Sequence, residues 1–358
     1  MKSDSVIRVA LLGATPPNSG GIASWTQRML TTDCYNQCEL LLVDERLEDS
    51  STIFSGRRSI TSEVRRSFRI WRDLAHSIKA YEINVVHSNT PASTTSLIRE
   101  VVCALIAKIH HCAFVGHFLC TVPVVVKSNL NIFALRFYLA LCDVTIVLNK
   151  QSKEFIQRFS NKPICLIPNF IKKSELTSGD KVRFYAGPVR RVVYAGGITE
   201  EKGILEVLSV AEKCPEIEFR LAGAGELAPE IDIPGNVKFL GSLNRSDLMD
   251  EYDAADAFIF LTHFPAEGFS CSLLEAMASG LPCVVTDWAA NKEMIGTGGF
   301  VVPVGDIDGA VASLKNLADS DLRARMGAGN FHRAQRDYSE QKVVAEYERV
   351  YHMARQRC

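Results

Sequence analysis

Short β-branched apolar runs recur along the first half of the chain, at 6–13, 40–43, 83–87, 112–118, 144–149 and 164–168, with helical stretches between them. Each run is strand-sized, so their alternation with helical stretches predicts a mostly parallel α/β sheet. A polar, aperiodic segment at 172–188 then reads as a linker. Strand-like runs resume at Arg191 and again at 218–225, 257–261 and 282–287. The pattern predicts two Rossmann-like domains: residues 1–170 together with a terminal helix in 338–358, and residues 171–337.

One stretch of the second half carries more chemistry than its periodicity requires. Between the apolar runs 257–261 and 282–287, residues 272–278 have helix-forming composition, and Gly280 followed by Pro282 stops the helix. The unit is strand, loop, short helix, strand, with Glu267 in the loop and Glu275 on the helix. Open α/β sheets bind ligands beyond the carboxyl ends of their strands, where this loop lies. Glu275 can accept hydrogen bonds from sugar hydroxyls, while the helix start near Ser270, Cys271 and Ser272 suits a phosphate. Hydroxyl acceptors beside anion donors are what a nucleotide sugar needs.

Composition changes this picture little. An apolar fraction of 47% with 23% charged residues is that of an ordinary globular protein, and 358 residues accommodate two α/β domains. Net charge is −1, but residues 1–168 carry about +6 and the remainder about −7, which suggests an anionic partner for the N-terminal half. Much of that positive charge falls in 56–79, where seven basic residues meet two acids. On a helical projection Ile60, Val64, Ser67, Trp71, Leu74 and Ile78 share one face, with Arg65, Arg69 and Arg72 elsewhere. Such a helix either lies on an anionic membrane surface or packs on its own domain with a solvated basic face. Nucleic-acid binding is disfavoured because no reading motif accompanies the patch. Eleven cysteines, an odd number with no Cys-x-x-Cys pair, argue for reduced core thiols and a cytoplasmic setting. No apolar run reaches membrane-spanning length, and the opening residues read as leading straight into a strand rather than as a signal peptide.

Further candidates sit at strand ends. The loop 13–21 follows a strand, contains Gly20 and Gly21, and precedes a helical pattern. That is a phosphate-approach geometry, although it is neither a G-x-G-x-x-G nor a Walker loop. His87 and His117 end two strands where a switch-point cleft should open. Lys202 falls at a helix start after Gly196 and Gly197. Asp306 and Asp308 have the Asp-x-Asp spacing of a metal motif, but their position reads as a helix N-cap with a first-turn acid.

The run Glu267-Gly268-Phe269-Ser270 through Glu275-Ala276-Met277-Ala278, then Gly280 and Pro282, closely resembles the Glu-x7-Glu motif of retaining GT-B glycosyltransferases, especially glycosyltransferase family 4. The resemblance covers nearly the whole chain and is strongest from Arg191 to Asp287. Residues 164–170, with Pro168-Asn169, are similar to the family's exit from its first domain, and 191–204 to its strand followed by Gly-Arg-x-x-x-x-Lys-Gly. Three positions depart from the pattern: Ser270 stands where glycine is usual, Cys283 where valine is usual, and Gly197 where arginine is usual.

The resemblance implies a GT-B fold, two facing Rossmann-like domains with parallel sheets and an interdomain cleft. It implies a retaining, metal-independent hexosyltransferase without a cofactor, whose donor is a UDP- or GDP-linked sugar. Glu267, Lys202 and His117 are the expected catalytic residues. Glu275 would hold the ribose, and Gly20, Gly21, Gly197, Phe269, Ser270, Cys271 and Ser272 the rest of the donor. The expected acceptor is a glycan or polyprenyl-linked intermediate of bacterial surface polysaccharide assembly, reached by a cytoplasmic protein peripheral on the inner face of the membrane. The missing arginine at Gly197 supports an alternative, a nucleotide-sugar-binding protein that has lost catalysis. A sugar-nucleotide epimerase is a third reading on fold alone.

Overall fold

A computed structural model describes residues 6–15, 21–46, 60–175 and 187–358. The chain forms two compact units, Met1–Asn169 with Glu340–Cys358, and Phe170–Ser339.

The first unit is built on a parallel sheet ordered β2-β1-β3-β4-β5-β6. Its strands are β1 (Ile7–Gly13), β2 (Cys38–Asp44), β3 (Val85–Thr90), β4 (Ala113–Phe118), β5 (Val144–Val147) and β6 (Ile164–Leu166). Between them run α1 (Gly21–Leu30), α2 (Ile60–Ala80), α3 (Thr94–Ile109), α4 (Val122–Val125), α5 (Asn129–Leu141) and α6 (Lys150–Gln157). The order reverses between β1 and β3. Right-handed crossovers therefore put α1 on one face of the sheet and α2, α3 and α5 on the other.

Strand alternation sorts the core accordingly. Val86 of β3 and Phe114 and Phe118 of β4 pack with Leu74 of α2, Leu97 and Ala104 of α3 and Leu135 of α5. Ser93 and Ser128 cap α3 and α5, each accepting a backbone N–H three residues on. Gly116 lets α5 approach closely, because a Cβ there would meet Tyr138 Oη at 2.8 Å.

The second unit carries a parallel sheet ordered β12-β11-β10-β7-β8-β9. Its strands are β7 (Arg191–Ala195), β8 (Glu218–Ala222), β9 (Val237–Gly241), β10 (Ala257–Phe260), β11 (Cys283–Thr286) and β12 (Gly299–Val302). Its helices are α7 (Ile204–Glu212), α8 (Arg245–Ala254), α9 (Cys271–Ala278), α10 (Asn291–Ile295), α11 (Ile307–Asn316) and α12 (Ser320–Asp337). The chain then returns to the first unit as α13 (Glu340–Arg355), on the same side of that sheet as α1.

The two parallel α/β sheets are as expected, and two details differ from the sequence reading. Val64 lies on the exposed side of α2, not with the core stripe, which runs through Ile70, Leu74 and Ile78. At 100° per residue, position 64 lies about 80° from Leu74, the middle of that stripe, at its margin toward Phe68. The helices α8 and α12 had no expectation, since their apolar positions are few and their starts depend on the caps Asn244 and Asp319. Gly20, residues 56–59 of the basic segment and residues 176–186 of the expected linker lie outside the described residues.

Candidate functional site

In the second unit the strand order reverses between β7 and β10, which pair in parallel. The loops leaving these neighbouring strands therefore rise side by side at the sheet's carboxyl edge. The β7 loop runs through Gly196, Gly197 and a single 3-10 turn, Glu200–Lys202, ending at Gly203. Gly203 has φ +78°, and a Cβ there would stand 2.1 Å from the Leu261 carbonyl oxygen, so only glycine fits against the end of β10. His263 N donates to Glu201 O at 2.9 Å, and Thr286 Oγ1 donates to Thr262 O at 2.6 Å, which ties the two loops and β11 together. Trp288 Nε1 fixes Phe264 O at 2.8 Å, and Glu267 N closes a turn onto the same carbonyl at 3.0 Å.

The result is a charge pair held from both sides. Lys202 Nζ lies 2.6 Å from Glu267 Oε2, with side-chain exposures of 22% and 10%. Its ammonium also sits 4.6 Å from the Phe264 ring centroid, a cation–π geometry. Below them Tyr194 Oη donates to Gly197 O at 2.8 Å. Burial first, and then the Glu267 charge, push the Tyr194 phenol far above its usual range, so it stays a donor. The arrangement offers a cation for a leaving group beside a carboxylate for hydroxyls.

Eight positions along, Glu275 lies on α9, whose N-cap is Ser270. Ser270 Oγ accepts the Leu273 N–H at 3.3 Å and contacts Ser272 Oγ at 3.1 Å, so the serine cap takes one N–H of the first turn itself. Cys271 and Ser272 open the helix. Phe269 is buried edge-on against Tyr338, 5.3 Å between centroids, so its ring belongs to the core. Glu275 Oε1 receives Arg245 Nη1 at 2.5 Å, and Arg245 Nη2 stands 3.3 Å from Glu175 Oε1. Arg245 had no place in the sequence reading. The available signal was Asn244 with Asp247, an N-cap and an acid three residues on, which marks a helix start and so places Arg245 at its first position. Gly197 is open: a Cβ there finds its nearest neighbour, Lys202 Cγ, at 4.0 Å.

Asp306 caps α11 by accepting the Gly309 N–H at 2.9 Å, and Asp308 pairs with Lys213 at 2.6 Å. Asp306 is therefore the N-cap and Asp308 a first-turn acid, as read from their position.

In the first unit β3 and β4 bring the two candidate histidines together. His87 and His117 share the α1/α13 side of the sheet, and His87 Nε2 is 3.2 Å from His117 Nδ1. His87 Nδ1 meets Tyr351 Oη at 2.8 Å, and Trp25 packs edge-on to His117 at 4.9 Å. Both rings are fully buried. Burial lowers the His87 pKa to about 3 and, with His87 alongside, holds His117 well below the usual imidazole range; both are neutral. His117 Nε2 has no hydrogen-bond partner among the described residues. Gly21 is the first residue of α1. Glu267, Lys202, Gly197, Ser270 and Glu275 thus belong to the second unit, and His87, His117 and Gly21 to the first.

Residues 189–320 match the family model described as glycosyl transferases group 1. A phosphatidyl-myo-inositol mannosyltransferase of Mycolicibacterium smegmatis is 30% identical over 197 residues, 52% of this chain and 50% of that protein. The chain thus spans about half the length of this curated relative. Among solved structures, a sucrose-phosphate synthase from Thermosynechococcus elongatus superposes with a TM-score of 0.76 at 14% identity, covering 97% of this chain and 98% of that one. HepE of Anabaena, solved with UDP-glucose, superposes with a TM-score of 0.69 at 16% identity, covering 96% and 100%. These superpositions and the two six-stranded parallel sheets make the fold GT-B.

Proposed function

We propose that the chain is a retaining glycosyltransferase of the family 4 type, moving a hexose from a nucleotide-diphosphate sugar to a glycan or lipid-linked acceptor. The observation that carries the reading is the Lys202–Glu267 pair, 2.6 Å apart at the β7/β10 switch point, within the segment that matches the glycosyl transferases group 1 model. Lys202 and the start of α9 stabilise the departing diphosphate without a metal. Glu275, which pairs with Arg245 at 2.5 Å, holds the ribose hydroxyls. Glu267 orients the donor sugar and supports charge at the anomeric carbon as the acceptor hydroxyl attacks from the leaving-group face. Binding energy from remote parts of the donor serves the reacting centre in this way.

The acceptor reading is supported by the basic first half and by the relative named for phosphatidyl-myo-inositol. It puts the protein in the cytoplasm, peripheral on an anionic membrane through 56–79, as in bacterial surface polysaccharide assembly. UDP- and GDP-sugars are the donors to screen first, HepE having been solved with UDP-glucose. The test is a thermal-shift screen of nucleotide sugars, since ligand binding raises apparent stability, followed by NMR of the product. A retained anomeric configuration is expected, and an inverted one overturns the mechanism.

Gly197 favours a second reading, a binding protein without turnover, because one phosphate cation of the family pattern is absent. Donors that bind but are never hydrolysed or transferred would select it.

A further inference from the structure

Eight of the fourteen exposed large hydrophobic side chains among the described residues lie on three helices of the first unit, α2, α3 and α5. These helices pack side by side on one face of the sheet, α3 against both α2 and α5. On α3 the outward positions Ile98, Leu105 and Ile109 follow helical spacing, with Ile109 73% exposed and no charged residue among them. On α5 the outward positions are Leu130, Phe133 and Phe137, the two phenylalanines 61% and 56% exposed with ring centroids 5.4 Å apart. A helix facing water normally presents polar residues outward. Contiguous apolar surface of this kind marks an interaction site.

Charge selects the occupant. The outward side of α2, which borders α3, presents Arg65, Phe68, Arg72 and Lys79, and Arg136 lies on the exposed side of α5. Asp73, hydrogen-bonded to Arg72 at 2.9 Å, is an acid at this edge, and Glu63 is drawn to Arg66 at 3.3 Å. A second copy of this chain would offer this border only the same cation-rich face, whose acids Asp73 and Glu63 are already drawn to arginines. A bilayer with anionic headgroups satisfies both parts at once, taking apolar side chains below the headgroups and cations among them. We propose that the outward face of α3 and α5 inserts shallowly into an anionic lipid surface, with α2 as its basic border. This deepens, and rests on, the membrane reading of 56–79, but moves the inserting surface to side chains outside that segment. No helix among the described residues is long and apolar enough to cross a membrane, so the contact is interfacial.

The experiment is co-sedimentation of the full chain with vesicles of phosphatidylglycerol and phosphatidylcholine, and with phosphatidylcholine alone. Three proteins are compared: the natural chain, Phe133→Ser/Phe137→Ser, and Arg65→Gln/Arg72→Gln. The altered side chains are exposed, and unchanged circular dichroism checks each fold. The natural chain is expected to bind the anionic vesicles. The α5 variant should partition about tenfold or more weakly. The α2 variant should lose about fivefold or more, with its residual binding less salt-sensitive. Failure of the natural chain to bind overturns both the insertion and the membrane reading beneath it. Loss in the α2 variant with none in the α5 variant overturns the insertion and leaves the 56–79 reading standing. A dimer in light scattering that the α5 variant converts to monomer also overturns the proposal, making the face a contact between copies.

Discussion

Gly197→Arg tests whether the β7 loop faces a diphosphate. The position has negative φ and is sterically open, its nearest prospective Cβ contact being Lys202 Cγ at 4.0 Å. Replacing a glycine whose backbone is compatible stabilises by about 0.4–1 kcal/mol through the unfolded chain. Against this, the new guanidinium runs beside Lys202. Two cations roughly 7 Å apart repel by about 2 kcal/mol at an effective dielectric near 20, less once salt screens them. The terms partly offset, so without nucleotide the protein should change in stability by only about 1 kcal/mol. A bound diphosphate changes the balance. One added charge-assisted hydrogen bond contributes about 1.5–3 kcal/mol, a gain of about tenfold to a hundredfold in affinity. Isothermal titration of UDP and GDP against both proteins, at low and moderate salt, measures it. Unchanged or weaker binding by a variant with a native melting profile would refute the placement of the diphosphate beside residue 197.

In the same loop Gly203→Ala should do the opposite. Its left-handed backbone and a Cβ 2.1 Å from Leu261 O predict a loss of about 3 kcal/mol or more in urea melts. Lys202→Ala should lower kcat for sugar transfer about a hundredfold or more, with a smaller change in KM, because its charge is needed most as the leaving group departs. Glu275→Ala should weaken nucleotide binding about tenfold, whereas Arg245→Ala removes the side chain paired with Glu275 and should not weaken it; calorimetry separates them. For pH, His87 is depressed to about 3 and His117 is also held low, so between there and 6.5 the unfolded chain binds more protons. Their contribution is complete above pH 6.5 and is lost as pH falls, and His87→Gln should flatten that slope in denaturant titrations between pH 4 and 7.

Much of the fold was legible because buried parallel strands are short, β-branched and separated by helix-length intervals. The Glu267–Glu275 stretch was legible because strand, loop and helix are local. Pairings between distant segments were not. Lys202 and Glu267 are 65 positions apart and meet only because β7 and β10 are neighbours at the reversal of the strand order. Arg245 finds Glu275 across 30 positions, from a helix whose start is marked by a single asparagine cap. The two histidines were each read as a lone strand-end residue; the register of β3 on β4 makes them one buried pair. The same limit applies to α3 and α5. Apolar residues occur on several sides of these helices, so periodicity alone does not say which side is core. Packing on the sheet buries Leu97, Cys103, Leu135 and Tyr138 and turns Ile98, Leu105, Phe133 and Phe137 outward. Sequence by itself determined which segments become strands and which carboxylates share a loop and helix, because those depend on neighbours in the chain. Strand order decided which charges meet, and packing decided which apolar side chains face water, because both depend on segments brought together only by folding.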